Sequence, residues 1–464
     1  MRKHFDFFVI GGGSAGFNAA RVAADLGKRV AIADAGTELG GLCILRGCMP
    51  SKTLLYSTEV LHHAQNARVL GLKIPRATVD MKALHARKKR IVGDFASYRV
   101  KGMTSGRYTL LREAARFVDD RTIELASGKQ FTADRFLIAT GSKISTPDIP
   151  GLDATPFWTS DDILDLDFVP ESVIVLGGGI VACELAQFLR RIGSRVVLIQ
   201  RSPNILRDHS PDVSAVIQLA FRDEGIDLYT DTSIQTISGD RSGVQVTFKS
   251  RRKTIAKRAR YLFNALGREA LTDGLNLHAA GVKVTEEGRV GINRWQQTNV
   301  PHIYAGGDVC GPHDIVHVAV AQGELAARHG FGVKGLKPVD PALLLTVVFT
   351  DPALATLGYR EEELKEKKQP FVAAQYPFGD HGKSILMEAN RGYVKVIAEP
   401  QHGRILGVEV VGRDAGELIH CFSGPMAMKA TVFDMMKAPW YHPTLAEIFT
   451  YPLEEIAEKI LATK

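Results

Sequence analysis

The stretch GLCILRGCMPSK (41–52) holds two of the chain's five cysteines, Cys43 and Cys48. Two thiols this close can share a metal, staple a loop, or open and close as a redox pair. A metal site needs further ligands at suitable spacing. Cys183, Cys310 and Cys421 are scattered, and His62 and His63 complete no zinc signature, so no metal is expected. A permanent staple belongs to secreted scaffolds, and MRKHFDFFVIGGG offers no secretory segment before its glycines. A redox pair accounts for more. Pro50 suits a first helical turn, and SKTLLYSTEVLHHA reads as an amphipathic helix starting there. Cys48 would then lie near the positive end of a helix, which favours the thiolate that thiol–disulfide exchange requires.

The elements around the pair are nucleotide-binding in pattern. FDFFVIGGGSAGFNAARVAADLGKRVAIAD (5–34) reads as strand, glycine turn, helix, strand, and ESVIVLGGGIVACELAQFLRRIGSRVVLIQ (171–200) repeats that order. Gly11, Gly13 and Gly16 form G-x-G-x-x-G, and Gly177, Gly179 and Ala182 form its G-x-G-x-x-A variant. The first glycine makes the tight turn, the second admits a pyrophosphate, and the third small residue packs helix on strand. Asp34 closes the first unit where a carboxylate would accept from ribose hydroxyls, as for FAD. Gln200 stands at the equivalent place in the second unit, followed by Arg201 and Arg207. Arginine forks suit a 2′-phosphate, which points to NADPH rather than NADH. The alternative is that both are solvated surface charges.

A chain of 464 residues exceeds one hydrophobic core, and 45% apolar with 23% charged residues is ordinary for a soluble globular protein. The longest apolar run, near ALLLTVVF (342–349), is too short to span a membrane. With no secretory signal expected, the cysteine count fits a reducing cytoplasm. Much of the net charge of +7 comes from KSRRKTIAKRAR (249–260), which reads as a solvated hairpin rather than a nucleic-acid surface because strand-like segments flank it.

Taken together, these features resemble the class I pyridine nucleotide–disulfide oxidoreductases, a family that includes dihydrolipoyl dehydrogenase, glutathione reductase and mercuric reductase. The motifs that carry the resemblance run in order along nearly the whole chain. They are GGGSAG (11–16), GGLCILRGCMPSK (40–52), ATGS (139–142), GGGIVACELA (177–186), TNVPHIYAGGDV (298–309) and HPTLAE (442–447). The resemblance implies FAD and a nicotinamide cofactor, with Cys48 as the flavin-proximal sulfur and Cys43 as the interchange thiol. It implies a flavin-contacting Lys52 paired with Glu184, and Asp308 on the ribityl chain before a helix starting near His317. Ser14, Gly141 and Gly267 join the cofactor-binding set. His442 would be the acid–base catalyst, oriented by Glu447 and contributed by the second subunit of a homodimer. Leu42, Met49, Ile180 and Gln200 depart from the family's usual residues, and EKILATK lacks the adjacent cysteines of mercuric reductases.

The expected fold is α/β, with two Rossmann-like domains and a C-terminal α+β dimerisation domain. The expected regions are FAD-binding 1–148, NAD(P)-binding 149–268, a central return to the FAD site 269–338, and dimerisation 339–464. GYVKVIAEPQHGRILGVEVVG (392–412) would begin the last sheet, with Gly403 at a hairpin turn. The expected activity moves electrons among NAD(P)H, flavin, a Cys43–Cys48 disulfide and a small dithiol or disulfide, in the manner of dihydrolipoyl dehydrogenase, with protein-bound lipoamide a candidate substrate. The alternatives are an NADPH-dependent disulfide reductase, a mercuric-reductase-like enzyme, and a non-catalytic flavoprotein subunit. Neither nucleic acid nor membrane is an expected partner.

Overall fold

A computed structural model of the chain describes residues 3–462. Its contacts divide the chain into two units, one of residues 1–53, 82–145 and 267–339, the other of residues 54–81, 146–266 and 340–464.

The first unit is built on a seven-stranded sheet. Its parallel part runs in the order Thr109–Leu111, Val30–Ala33, Lys3–Ile10, Gln130–Ile138, with Ile303–Ala305 also parallel to the last of these. Thr122–Leu125 and Ala115–Phe117 extend it antiparallel. A parallel sheet must be covered on both faces, and the strand FFVI (7–10) is accordingly buried throughout. One face packs Phe5, Phe8, Phe117 and Phe136 together. The other carries the helices Ser14–Asp25 and Val316–Gly330. These two helices approach so closely that a Cβ on Gly323 would overlap the Ala15 carbonyl, which explains the glycine within the second helix. That helix starts at Val316, next to the expected His317.

The second unit contains the repeat of the glycine turn. Its four-stranded parallel sheet has the order Asp227–Tyr229, Arg195–Ile199, Ser172–Leu176, Tyr261–Asn264. The helix Ile180–Ile192 follows Gly179 and ends at Gly193, whose φ of +115° only glycine adopts without strain. The basic stretch forms part of an antiparallel meander, turning at Arg251 and returning as the strand Lys253–Ala259.

The same unit carries a five-stranded antiparallel sheet ordered Leu345–Val348, Ala353–Gly358, Ile405–Gly412, Tyr393–Ala398, Val372–Pro377. The expectation that residues 392–412 begin this sheet is corrected. Three strands precede them in the chain, and the 393–412 hairpin occupies the middle, where both of its strands are buried end to end. Gly403 lies between those strands with φ +74°. Helix Thr450–Leu461 covers the sheet through Leu453, Ile456 and Ile460, beside Phe378 and Phe422. No described helix is long and apolar enough to cross a membrane.

Candidate active site

A short helix, Gly41–Arg46, which carries Cys43, meets a longer one, Cys48–Asn66, at Gly47. The second starts at Cys48 itself rather than at Pro50, because a proline fits anywhere in a first turn whose amide hydrogens have no helical partner. A Cβ on Gly47 would lie 3.0 Å from the Leu42 carbonyl oxygen, so only a bare backbone lets the two helices fold this tightly. The Ser51 hydroxyl donates to the Gly47 carbonyl at 2.7 Å and fixes the turn.

Both cysteines are half-buried, and the structure joins neither in a disulfide. Cys43 is hydrogen-bonded to Cys48, and that bond, reinforced by burial, pushes the Cys43 thiol well above its ordinary range. Cys48 occupies the positive end of its own helix, so the two thiols stand in unlike surroundings. Arg99 opposes the shift on Cys43 electrostatically; its guanidinium stacks on the Phe17 ring at 4.4 Å and reaches toward the Gly13 carbonyl at 3.4 Å. Nothing in the sequence around Arg99 marks it, because only the fold brings its helix to the thiols.

The thiols adjoin the first glycine turn. A Cβ on Gly41 would lie 2.7 Å from Gly13 Cα, so these two glycines touch. Gly16 approaches the Gly11 carbonyl so closely that a Cβ would overlap it, as the third position of the motif demands. Gly13 caps the helix that starts at Ser14, and a Cβ built on it meets no atom within 4 Å. That open cradle faces the positive end of the helix, which is what a pyrophosphate needs. Asp34 is held by the Gly12 and Gly36 amides, each at 2.9 Å.

Asp308 supplies a second carboxylate in this unit. Burial raises its pKa, and the Ser142 hydroxyl, donating at 2.6 Å, partly offsets the effect. Arg268 in turn donates to the Ser142 hydroxyl at 2.9 Å, and Arg289 holds the Asp308 carbonyl at 2.9 Å. Gly141 (φ +76°) and Gly267 (φ +118°) flank the paired strands Ser142–Ile144 and Arg268–Ala270. Asp308 Oδ1 accepts no hydrogen bond among the described residues, so it is available to a polyol hydroxyl. The cradle at Gly13, the fixed Asp34 and this carboxylate together fit FAD. Lys52 lies half-buried one turn beyond Cys48.

In the other unit, Gly177 makes its turn with φ +106°, and the space over Gly179 is again open. Gln200 lies beneath the turn, 3.0 Å from where a Gly178 Cβ would be, and its amide bonds to Ser202 and the Asn204 carbonyl. Arg201 and Arg207 are exposed in the following loop, the latter 3.7 Å from Asp208. Glu184 is buried on the motif's helix and accepts from the Phe349 amide at 2.9 Å.

The last pair also lies in this unit. His442 Nδ1 is 3.0 Å from both oxygens of Glu447, and the His442 side chain is 78% exposed against 13% for Glu447. A carboxylate at Nδ1 fixes the tautomer and leaves Nε2 as the working nitrogen. A second, buried histidine, His381, approaches the same carboxylate from the protein interior. Sequence reasoning missed it, because its partner Glu447 lies far along the chain and no local pattern links the two.

Two dinucleotide-type turns, a dithiol beside one of them and a histidine–carboxylate pair define a flavin- and nicotinamide-linked enzyme of sulfur redox chemistry. The chain belongs to the pyridine nucleotide–disulphide oxidoreductase family, whose model matches residues 5–323, with that family's dimerisation domain matching residues 344–452. It is 34% identical to a mercuric reductase of Bacillus cereus, over 96% of this chain and 70% of that one. It is 32% identical to a dihydrolipoyl dehydrogenase of Bacillus subtilis, over 95% of this chain and 96% of that one. Among solved structures, the Cu(II) complex of the HOCl-induced flavoprotein disulfide reductase RclA from Escherichia coli shares the fold. Its TM-score is 0.84 at 24% identity, covering 97% of this chain and 99% of that one. The protein is thus an FAD-dependent pyridine nucleotide–disulfide oxidoreductase, and its match to the dimerisation domain supports a homodimer.

Proposed function

We propose that the enzyme uses NADPH and a Cys43–Cys48 redox pair to reduce a small disulfide, or in reverse oxidises a dithiol such as lipoamide, in the cytoplasm. The observation that carries this reading is the unequal dithiol, in which Cys43, on the helix before Gly47, is hydrogen-bonded to Cys48, which begins the next helix. Gly11, Gly13, Ser14, Gly16, Asp34, Lys52, Gly141, Gly267 and Asp308 would hold FAD, which when bound supplies two-electron transfer between nicotinamide and disulfide. Gly177, Gly179, Glu184, Gln200, Arg201 and Arg207 would hold NADPH.

In the reductive direction Cys43, once deprotonated, attacks one sulfur of the substrate disulfide and forms a mixed disulfide, releasing the first thiol. Cys48 then attacks the Cys43 sulfur, releasing the second thiol and closing the Cys43–Cys48 disulfide. Each released thiolate takes a proton. A Cys43 thiol pushed up in pKa needs a base to start the exchange, and His442, oriented by Glu447, takes that proton and returns it to a leaving sulfur. In this reading His442 serves the partner subunit's cysteines. The chain's regions then divide the work as FAD-binding 1–148 and 269–338, NADPH-binding 149–268 and dimerisation 339–464.

Similarity to the Bacillus cereus mercuric reductase favours a second reading, in which the dithiol delivers electrons to a thiophilic metal ion. A histidine–glutamate pair suited to protonating sulfur supports the first. A steady-state comparison of lipoamide, glutathione disulfide and mercuric ion, each with NADPH and NADH, tests both. Disulfide turnover that requires His442 is expected, and turnover of mercuric ion alone overturns the first reading.

A further inference from the structure

Glu447 stands between two histidines of opposite character. His442 is exposed, whereas the His381 side chain is 1% exposed. His381 Nδ1 is 2.8 Å from the Ser384 hydroxyl, and its Nε2 points at Glu447 Oε1 from 3.5 Å. That Nε2 is buried and makes no hydrogen bond of ordinary geometry. A buried ring nitrogen without a partner is costly, and the acceptor it faces is the carboxylate that orients His442. Contacts of this kind are often long in a resting site and tighten when it is engaged. The ring is further held edge-on to Tyr451, at 6.4 Å, and Tyr451 stacks on Tyr376 at 3.8 Å.

We propose that His381 is a positioning residue for the reaction: it accepts from Ser384 at Nδ1, donates its Nε2–H to Glu447, and thereby fixes the carboxylate that holds His442. The inference rests on His442 being the acid–base group. Burial lowers the His381 pKa against the opposing pull of Glu447, and in the proposed tautomer, with Nδ1 accepting from Ser384, the ring's one proton lies on Nε2. The groups acting on it are Glu447 and His442, with Tyr451 and, behind it, Tyr376 and Asp380 as the other titratable neighbours. A neutral donor tempers the carboxylate's pull on the His442 proton. Without it, Glu447 binds His442⁺ more tightly, and the pH at which His442 becomes a base rises.

The test uses the flavin-loaded dimer with NADPH and lipoamide as probes. His381→Leu is expected to lower disulfide turnover about tenfold, less than the roughly hundredfold or more that loss of an acid–base group itself costs because His381 acts through Glu447, and to move the limb of the pH–rate profile assigned to His442 upward. Reduction of the flavin by NADPH should be unchanged. His381→Gln, which keeps a side-chain donor, should recover most of the loss. If His381→Leu does not yield a loaded dimer, Ser384→Ala, which removes the hydroxyl that sets the tautomer, should move the same limb in the same direction. An unmoved limb in the variant that loads overturns the proposal. His442→Ala separates the two levels: if it leaves turnover and limb intact, the assignment of His442 itself fails; if it abolishes both while His381→Leu does nothing, only the role of His381 fails.

Discussion

Cys43 and Cys48 differ in position, one on the helix before Gly47 and the other at the start of the helix after it, and their variants should differ accordingly. Cys43→Ser removes the thiol assigned to attack substrate and should abolish disulfide turnover, while reduction of the flavin by NADPH continues. Cys48→Ser should also abolish turnover, and it should remove any long-wavelength absorption band that a thiolate beside the flavin produces in the two-electron-reduced enzyme. Stopped-flow spectra of the two variants check this, and identical spectra would defeat the unequal roles. The arginines make a separate prediction. Arg201→Ala together with Arg207→Ala should raise KM for NADPH tenfold or more, as loss of two charge-assisted phosphate contacts implies, and leave KM for NADH nearly unchanged. Equal effects on both cofactors would return these residues to plain surface charge. The cysteines, the glycine motifs, Asp34 and the His442–Glu447 pair were legible in the sequence because each is defined within a few residues or by a fixed spacing. Arg99, Arg268, Ser142 and His381 were not. Each acquires its partner only through the tertiary fold, and even Ser142, which closes the ATGS motif, shows no sign in the sequence of the carboxylate it bonds.

Among the elements, legibility followed burial. The hairpin strands Tyr393–Ala398 and Ile405–Gly412 are buried end to end and announce themselves as apolar runs. The sheet's edge strands Leu345–Val348 and Val372–Pro377 are short and only partly covered, so the sheet seemed to begin in its middle. The turn before the helix Pro211–Asp223 illustrates a cost that no sequence pattern reveals. His209 lies there with Nδ1 buried and unbonded, and burial, aided by Arg360, lowers its pKa to about 4. A folded-state pKa below the unfolded value of about 6.5 means that the unfolded chain binds more protons between those limits. Its contribution is therefore fully present above about pH 6.5 and is lost as pH falls toward about 4. His209→Phe should keep the packing and remove this contribution. Calorimetry at pH 7 and pH 5 is expected to show a smaller acid-induced fall in Tm for the variant than for the parent, and an equal fall would exclude His209 as a cause.

At the scale of the whole molecule, the arrangement of catalytic groups turns on symmetry. A two-fold dimer repeats each contact, so a histidine that serves the partner's cysteines creates two equivalent sites, each built from two chains. A chain with Cys43→Ser still offers a sound His442, and a chain with His442→Ala still offers a sound cysteine pair. Each homodimer of these variants has two defective sites. The mixed dimer has one site in which both lesions coincide and one in which neither occurs. Co-expression with two different affinity tags and purification on both isolates that mixed species, which should show about half the disulfide turnover of the parent dimer, one intact site of two. If His442 instead served the cysteines of its own chain, every site in the mixed dimer would carry one lesion, and it would be as inactive as either homodimer. Restored turnover against continued silence is a difference that neither expression level nor flavin content can imitate, because the same preparation contains both chains in equal amounts.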